Sequence, residues 1–265
     1  MADKIKTAVI LCGGNGTRLG AIGKKIPKTL ILVKKKPILW YILSNLILSQ
    51  NFNHFVLPVG HKGDMIRKYI EKYFIPKFFF LDIKFDIINT GKNTAIAKRI
   101  FMINKKILSK NFLLLNGDAI FDFNLGKIFD NHNKKNLDLT LLTCSVISPF
   151  GVVVKKKNKP INFQRDMNYD EIYNLKQNVF GEIFTGMSII KTNLLKKIDF
   201  KNSKNFEINF YPKILKPKNR YNKSCEKING FWYAMDDLKQ VEIANSKENY
   251  ISKKIQMIKN KFNGK

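Results

Sequence analysis

Ala8-Val9-Ile10-Leu11-Cys12-Gly13-Gly14-Asn15-Gly16-Thr17-Arg18-Leu19-Gly20, continued by Pro27-Lys28-Thr29, is the stretch from which the fold is read. A short apolar run that breaks into glycines predicts a buried strand ending in a loop whose backbone approaches a ligand closely. Phosphate suits such a loop. Uncovered amide N–H groups converge on one concavity, and Arg18 and Lys28 place positive charge beside it. A Walker loop would end in Gly-Lys-Ser/Thr, and a dinucleotide loop would read G-x-G-x-x-G. Here Gly14, Gly16 and Gly20 enclose Arg18, a third pattern, and the bland alternative is an ordinary strand-to-helix turn.

The chain of 265 residues is long enough for one sizeable α/β domain with a small extension. Apolar residues make up 45%, and no apolar run approaches the roughly 18 residues that span a membrane, so no membrane partner is expected. Met1-Ala2-Asp3-Lys4 carries an acidic residue and leads into too short an apolar run for a secretory signal. Cys12, Cys144 and Cys225 are an odd set without metal-ligand spacing, which favours a reduced, cytoplasmic setting. The formal charge of +28 invites a nucleic-acid reading. Its lysines, however, are spread from end to end among Asn, Ile and Phe, as an AT-rich coding bias would leave them, and arginines are few. No specific nucleic-acid partner is expected, only the steering of anionic substrates at low salt.

Further along, strand-like and helix-like stretches alternate. Pro37 suits the first turn of a helix whose apolar face is Leu39, Ile42, Leu43, Leu46 and Ile47. Phe55–Val59 reads as a strand closing on Gly60-His61-Lys62-Gly63, and a helix with Met65, Ile66, Tyr69 and Ile70 on one side follows. Such units build a doubly wound parallel sheet with its ligands beyond the carboxyl ends of the strands. Ile83–Ile88 leads to Asn89–Thr94, and Phe112–Leu115 leads to Asn116-Gly117-Asp118. A carboxylate delivered at a strand end is either a magnesium ligand or a cap or turn residue. Leu139–Val146 and Gly151–Val154 read as strands, and Asp237 as the N-cap of a helix through Leu238, Val241 and Ile243. Residues 1–245 are expected to form one domain, with a nucleotide half over about 1–120 and an acceptor half over 121–236. The tail, 246–265, with Ile251, Ile255 and Ile258 at helical spacing, reads as a packing or oligomerising helix, compatible with a homo-oligomer.

Gly13-Gly14-x-Gly16-Thr17-Arg18-Leu19 followed by Pro27-Lys28 resembles the signature of the sugar-1-phosphate nucleotidyltransferases, the NDP-sugar pyrophosphorylases. The resemblance implies a three-layer, Rossmann-like (GT-A-like) α/β fold with a mixed, mostly parallel central sheet. It implies that Leu11, Gly13, Gly14, Gly16 and Thr17 line the nucleotide site, that Arg18 neutralises the leaving pyrophosphate and that Lys28 lies beside the reacting phosphate. Thr90-Gly91, Thr94 and Arg99 are similar to the glucose-1-phosphate cytidylyltransferases, as are Lys36–Trp40, Val59–Ile66 and Gly230-Phe231-Trp232 with Met235-Asp236. By the same resemblance Thr90, Gly91, Asn116 and Gly117 contact the nucleotide, Asp118 and Asp236 hold Mg²⁺, and Arg165, Thr185, Gly186 and Glu207 face the acceptor. Glu207 reads equally as a first-turn acid favoured by the helix dipole. Departures from the family pattern cluster on the acceptor side: Arg165-Asp166 stands for a Glu-Lys pair, so the phosphate-binding Lys is missing, and the sugar-facing Asn of the family is missing at Thr185. His61 replaces a Tyr.

The implied activity is Mg²⁺-dependent transfer of a nucleotidyl group, from CTP by preference, to a sugar 1-phosphate, giving an NDP-sugar and pyrophosphate. Its partners are a nucleoside triphosphate and a small phosphorylated acceptor. One alternative keeps the chemistry and changes the acceptor to phosphocholine or a phosphorylated amino acid derivative. Another is a non-catalytic nucleotide-binding regulator, against which the presence of both aspartates argues.

Overall fold

Thr7–Leu11 forms the strand expected of it, and its side chains alternate between two cores: Ala8 and Ile10 join one apolar cluster, Val9 the other. A strand apolar on both faces needs a covering layer on each side. The computed structural model of the protein describes residues 6–14, 16–48, 50, 52–145, 152–156, 159–164, 174–176, 179–180, 182–197, 205–216 and 218–263. In chain order its strands are β1 (Thr7–Leu11), β2 (Leu32–Val33), β3 (Lys36–Pro37), β4 (His54–Val59), β5 (Lys84–Asn89), β6 (Asn111–Asn116), β7 (Ala119–Asp122) and β8 (Leu139–Cys144). There follow β9 (Val152–Lys156), β10 (Lys159–Gln164), β11 (Asn174–Lys176), β12 (Val179–Phe180), β13 (Ile183–Lys191), β14 (Lys223–Lys227) and β15 (Phe231–Ala234). Helices are α1 (Gly20–Lys25), α2 (Ile38–Leu48), α3 (Gly63–Tyr69), α4 (Ile96–Ile103) and α5 (Leu125–Lys134), then Tyr211–Leu215, Leu238–Asn245 and Tyr250–Asn263.

The central sheet has seven strands in the order β14-β8-β13-β6-β1-β4-β5. β1 runs parallel to β4 and to β6, β4 parallel to β5, and β14 parallel to β8, while β13 is antiparallel to both β6 and β8. The sheet is therefore mixed and mostly parallel. β4 and β6 repeat the alternation of β1, with Phe55, Leu57, Leu113 and Leu115 facing one core and Val56, Phe112 and Leu114 the other. α2 fills the first core with nearly all its residues, and the second is closed by α4 and the helical segment around Phe206, Phe210 and Tyr211. From β1 the chain steps outward through β4 to β5 and then returns to the other side of β1 as β6. That reversal makes the carboxyl end of β1 the topological switch point, where ligands of such sheets bind.

Pro37 ends β3, and the helix starts one residue later at Ile38. The β2–β3 hairpin turns through Lys34 and Lys35, both at positive φ, 48° and 67°. Two consecutive left-handed residues suit a tight hairpin, although Asn-Gly is the usual choice. Contacts from outside the hairpin hold the turn: Lys34 N–H donates to Asn245 Oδ1 at 2.8 Å, and Lys34 Nζ to the Ser246 carbonyl at 2.7 Å. The C-terminal helix Tyr250–Asn263 buries Ile255, Ile258 and Phe262 in the core that contains α2, with Phe262 edge-on to Trp40. Among the described residues no helix is long and apolar enough to cross a membrane.

Candidate active site

Strand register places the glycine loop against the aspartate turn. Leu11 pairs with Asn116 across β1 and β6, so both chains leave the sheet side by side, and Gly117 N–H donates to the Leu11 carbonyl at 3.2 Å. Cys12 N–H donates to the Pro58 carbonyl, tying the loop to β4 on the other side. Beneath these ends lies Arg99, projecting from α4 and only 4% exposed. Its guanidinium donates to the carbonyls of Gly13 (2.8 Å), Lys92 (3.2 Å) and Val59 (3.3 Å) and to the Thr90 hydroxyl. One side chain thus joins the loops after β1, β4 and β5. A Cβ on Gly13 would stand 2.3 Å from Arg99 Nη1, and one on Gly60 2.8 Å from it, so both glycines make room for this clamp.

Above the clamp opens a cavity of about 530 Å³. Leu11, Gly13, Gly14, Gly16, Asn116 and Gly117 line it together with Lys28 and Asp118, so most of the sequence-predicted nucleotide residues converge on one space. Three do not reach its wall. Thr17 is exposed on the turn Thr17–Leu19 with Arg18 beside it. Thr90 is buried behind the wall, its hydroxyl donating to the Val59 carbonyl at 2.8 Å, and Gly91 is exposed just outside. Lys92, Asn93 and Thr94, the next residues along, line the cavity instead. His61 is not among the lining residues. Sequence reasoning also passed over Cys12 and Thr29, which flank the glycines and Lys28. Burial, and next the Asp118 charge, push the Cys12 thiol far up, so it is inert, whereas Thr29 Oγ1 is buried with no hydrogen-bond partner among the described residues.

Asp118 and Asp236, more than a hundred residues apart, meet through an antiparallel ribbon. β7 pairs with β15 so that Ala119 faces Ala234, and Met235 N–H extends the ladder to the Asp118 carbonyl at 3.0 Å. Each carboxylate therefore sits at the same end of the ribbon. Asp237 caps the helix Leu238–Asn245 as expected, in a capping box with Gln240, and Gln240 Oε1 also accepts the Asp236 N–H at 2.5 Å. Between the carboxylates lies the Lys28 ammonium, donating to Asp118 Oδ2 at 2.7 Å and Asp236 Oδ1 at 2.9 Å. Desolvation alone would lower the Lys28 pKa, but the charges and hydrogen bonds of the two aspartates outweigh it and hold it above its ordinary value. Lys28 is a cation here. Two carboxylates converging on one cation are the hard-oxygen donor pair that Mg²⁺ accepts when phosphates and water complete its shell. No group of three or more His, Cys, Asp or Glu side chains suited to a metal occurs among the described residues. Asp118 and Asp236 thus fit Mg²⁺ as a substrate-completed site.

Of the residues expected to face the acceptor, Gly186 lies against the cavity residue Asn116. It has φ of +75°, and a Cβ there would lie 2.5 Å from Asn116 Nδ2, so glycine is required twice over. Thr185 is buried, its hydroxyl donating to the Leu142 carbonyl at 2.9 Å. Glu207 is exposed in the first turn of the segment Phe206–Phe210, where its N–H donates to the Asn205 side chain. Arg165 and Asp166 lie outside the described residues.

A family model described as nucleotidyl transferase matches residues 7–164. A Bacillus subtilis protein named a probable glucose-1-phosphate cytidylyltransferase is 31% identical over 182 residues, covering 63% of this chain and 71% of that protein. The D-glycero-alpha-D-manno-heptose 1-phosphate guanylyltransferase of Aneurinibacillus thermoaerophilus is 29% identical over 180 residues, covering 67% of this chain and 73% of that one. Among solved structures, HddC from Yersinia pseudotuberculosis complexed with GMP-PN matches with a TM-score of 0.64 at 20% identity, over 91% of this chain and 98% of that one, a likeness of fold. With the matched residues 7–164 spanning the glycine loop, Lys28 and the Asp118 turn, the chain belongs to the nucleotidyl transferase family.

Proposed function

We propose that this chain transfers a nucleotidyl group, cytidylyl by preference, from a nucleoside triphosphate to a sugar 1-phosphate, with Mg²⁺ as cofactor. The observation that carries the reading is the Lys28 ammonium held between Asp118 and Asp236 at the wall of a glycine-loop cavity. The amides of Gly13, Gly14 and Gly16 cradle the triphosphate, Arg18 at the exposed rim takes the leaving pyrophosphate, and Lys28 stabilises charge on the α-phosphate. When bound by Asp118 and Asp236, Mg²⁺ supplies further charge neutralisation and alignment of the phosphates. The acceptor monoester is mostly dianionic near neutral pH, its second pKa being about 6. It attacks the α-phosphorus without a general base; the new P–O bond forms as the bond to pyrophosphate breaks. Catalysis is positioning and electrostatics.

Support for cytosine comes from Thr90-Gly91, Arg99 and Gly230-Phe231-Trp232 and from the name of the Bacillus subtilis relative. The guanylyltransferase relative marks GTP as the main competitor. Arg165-Asp166 and Thr185, which stand where the resemblance expects a phosphate-binding Lys and a sugar-facing Asn, favour an acceptor other than glucose 1-phosphate, because a polar pocket built for one hydroxyl pattern rejects another. Pyrophosphate release across a matrix of triphosphates and phosphate acceptors tests the reading, with CTP expected to give the highest rate. A kcat/KM of about 10⁴ M⁻¹s⁻¹ or more with glucose 1-phosphate counts against the altered acceptor. Asp118→Asn and Asp236→Asn should each lower turnover by about 100-fold or more with the circular dichroism spectrum unchanged. Either variant at wild-type rate in saturating Mg²⁺ removes the two-aspartate assignment.

A further inference from the structure

The cation position between Asp118 and Asp236 is taken by a side chain of the protein itself. Lys28 Nζ lies 2.7 Å and 2.9 Å from the two carboxylate oxygens, the spacing of charge-assisted hydrogen bonds. Mg²⁺ demands oxygens at about 2.0–2.1 Å in near-octahedral array. A dication on the two oxygens that Lys28 holds would displace the ammonium from them. The backbone under both carboxylates is braced: Met235 N–H donates to the Asp118 carbonyl, and Gln240 Oε1 accepts the N–H groups of Asp236 and Asp237. Lys28, by contrast, ends a flexible four-carbon stem that lines the same cavity as the glycine loop.

We infer that Lys28 is a displaceable counter-ion that closes the metal position until a nucleoside triphosphate arrives, so that metal and nucleotide enter together. The inference rests on the function proposed above and concerns the order in which its ligands bind. In the free protein the ammonium offsets one of the two negative charges and screens carboxylates that would otherwise repel each other. Triphosphate in the glycine loop offers the ammonium a second set of anionic oxygens. Its transfer to them leaves Asp118 and Asp236 facing each other and strongly attractive to a dication. Lys28 remains paired throughout, and the cost of exposing two close carboxylates is met only when the metal is at hand. Metal and nucleotide are then coupled through one side chain, and the coupling is reciprocal.

The test is Mn²⁺ binding followed by electron paramagnetic resonance of the free ion, with and without α,β-methylene-CTP, on the full chain. Wild-type protein alone should bind Mn²⁺ weakly, and the analogue should strengthen binding. Lys28→Met should bind Mn²⁺ about tenfold or more tightly without nucleotide, within the ordinary range of coupling between sites. Its gain on adding the analogue should shrink. Lys28→Arg keeps a cation in the gap and should stay close to wild type. Adding Asp236→Asn to Lys28→Met should abolish the gain, locating the ion between the aspartates. Equal Mn²⁺ affinity in wild type and Lys28→Met overturns the inference. Should Lys28→Met fail to fold, wild-type protein whose Mn²⁺ affinity is indifferent to the analogue overturns it without a variant. Absence of any triphosphate binding would remove the proposed function, while tighter Mn²⁺ binding by Lys28→Met would still uphold the plug.

Discussion

Arg99 shows how one residue read from a motif acquires its role from the fold. In the sequence it marks the cytidylyltransferase pattern. In the structure its N–H groups are directed at backbone carbonyls of three loops and at the Thr90 hydroxyl. Burial also draws its pKa below the usual arginine value, though nowhere near loss of charge. Arg99 therefore sets the distance between the glycine loop and the Lys92–Thr94 wall. Lysine has neither the planar fork nor the donor count to bridge these carbonyls. Arg99→Lys should destabilise the protein by about 2–4 kcal/mol in urea unfolding, since charge-assisted hydrogen bonds are lost and buried acceptors left bare. It should also raise the KM for triphosphate more than it lowers kcat. Stability within about 0.5 kcal/mol of wild type would mean that the clamp is dispensable.

At the scale of elements, what the sequence made legible follows the physics of each pattern. β1, β4 and β6 were readable because strands buried on both faces are unbroken apolar runs, and the capping box at Asp237 because its chemistry is local. In the β2–β3 hairpin the lysine turn at 34–36 is legible but the pairing of its strands is not, since the left-handed residues are lysines and the turn is stabilised by Asn245 and Ser246 far along the chain. The motif at Thr90-Gly91 names residues but not the direction of the chain or of the Thr90 hydroxyl, which turns to the Val59 carbonyl; the neighbours Lys92 and Asn93 line the cavity. α5 carries a consequence of the same long-range kind. His132 near its end is buried, its Nδ1 paired with the Thr140 hydroxyl and its Nε2 without a hydrogen-bond partner among the described residues. Burial, outweighing the nearby Asp138 charge, pulls its pKa down to about 4. Since the unfolded value is near 6.5, the neutral form is favoured by folding. The stability it confers is complete above about pH 6.5 and is lost as pH falls toward 4, a loss of about 2 kcal/mol by pH 5. His54, also lowered mainly by burial, adds in the same direction. Urea unfolding between pH 7 and 5 should show this decline in wild type and a flatter one in His132→Gln; identical slopes would assign it to other groups.

For the molecule as a whole, the three-layer sheet and the excess of positive charge meet at one edge. Four parallel strands, β1, β4, β5 and β6, end there. Lys28, Lys92 and Arg99 line the cavity beyond them, with Arg18 exposed nearby. Against 48 basic residues the chain has only 20 acidic ones, so the field over this edge is not offset elsewhere. Three cationic side chains against one lining carboxylate, Asp118, concentrate small anions, and the effect weakens over a Debye length of about 8 Å at physiological salt. Lysines scattered over a surface supply the salt-sensitive part of nucleic-acid affinity but read no base edges. Two responses to ionic strength should therefore separate. Binding to duplex DNA or RNA, measured by fluorescence anisotropy, should be weak and sequence-independent at low salt and vanish by about 0.15 M, since nothing but phosphate contact supports it. Triphosphate turnover should survive the same change, its kcat/KM declining through slower capture while kcat holds, because under the proposed function the glycine-loop amides and the Lys28 ammonium meet the phosphates at contact range within a partly enclosed cavity. Tight, sequence-selective duplex binding at physiological salt would show that the charge of +28 is organised for nucleic acid after all.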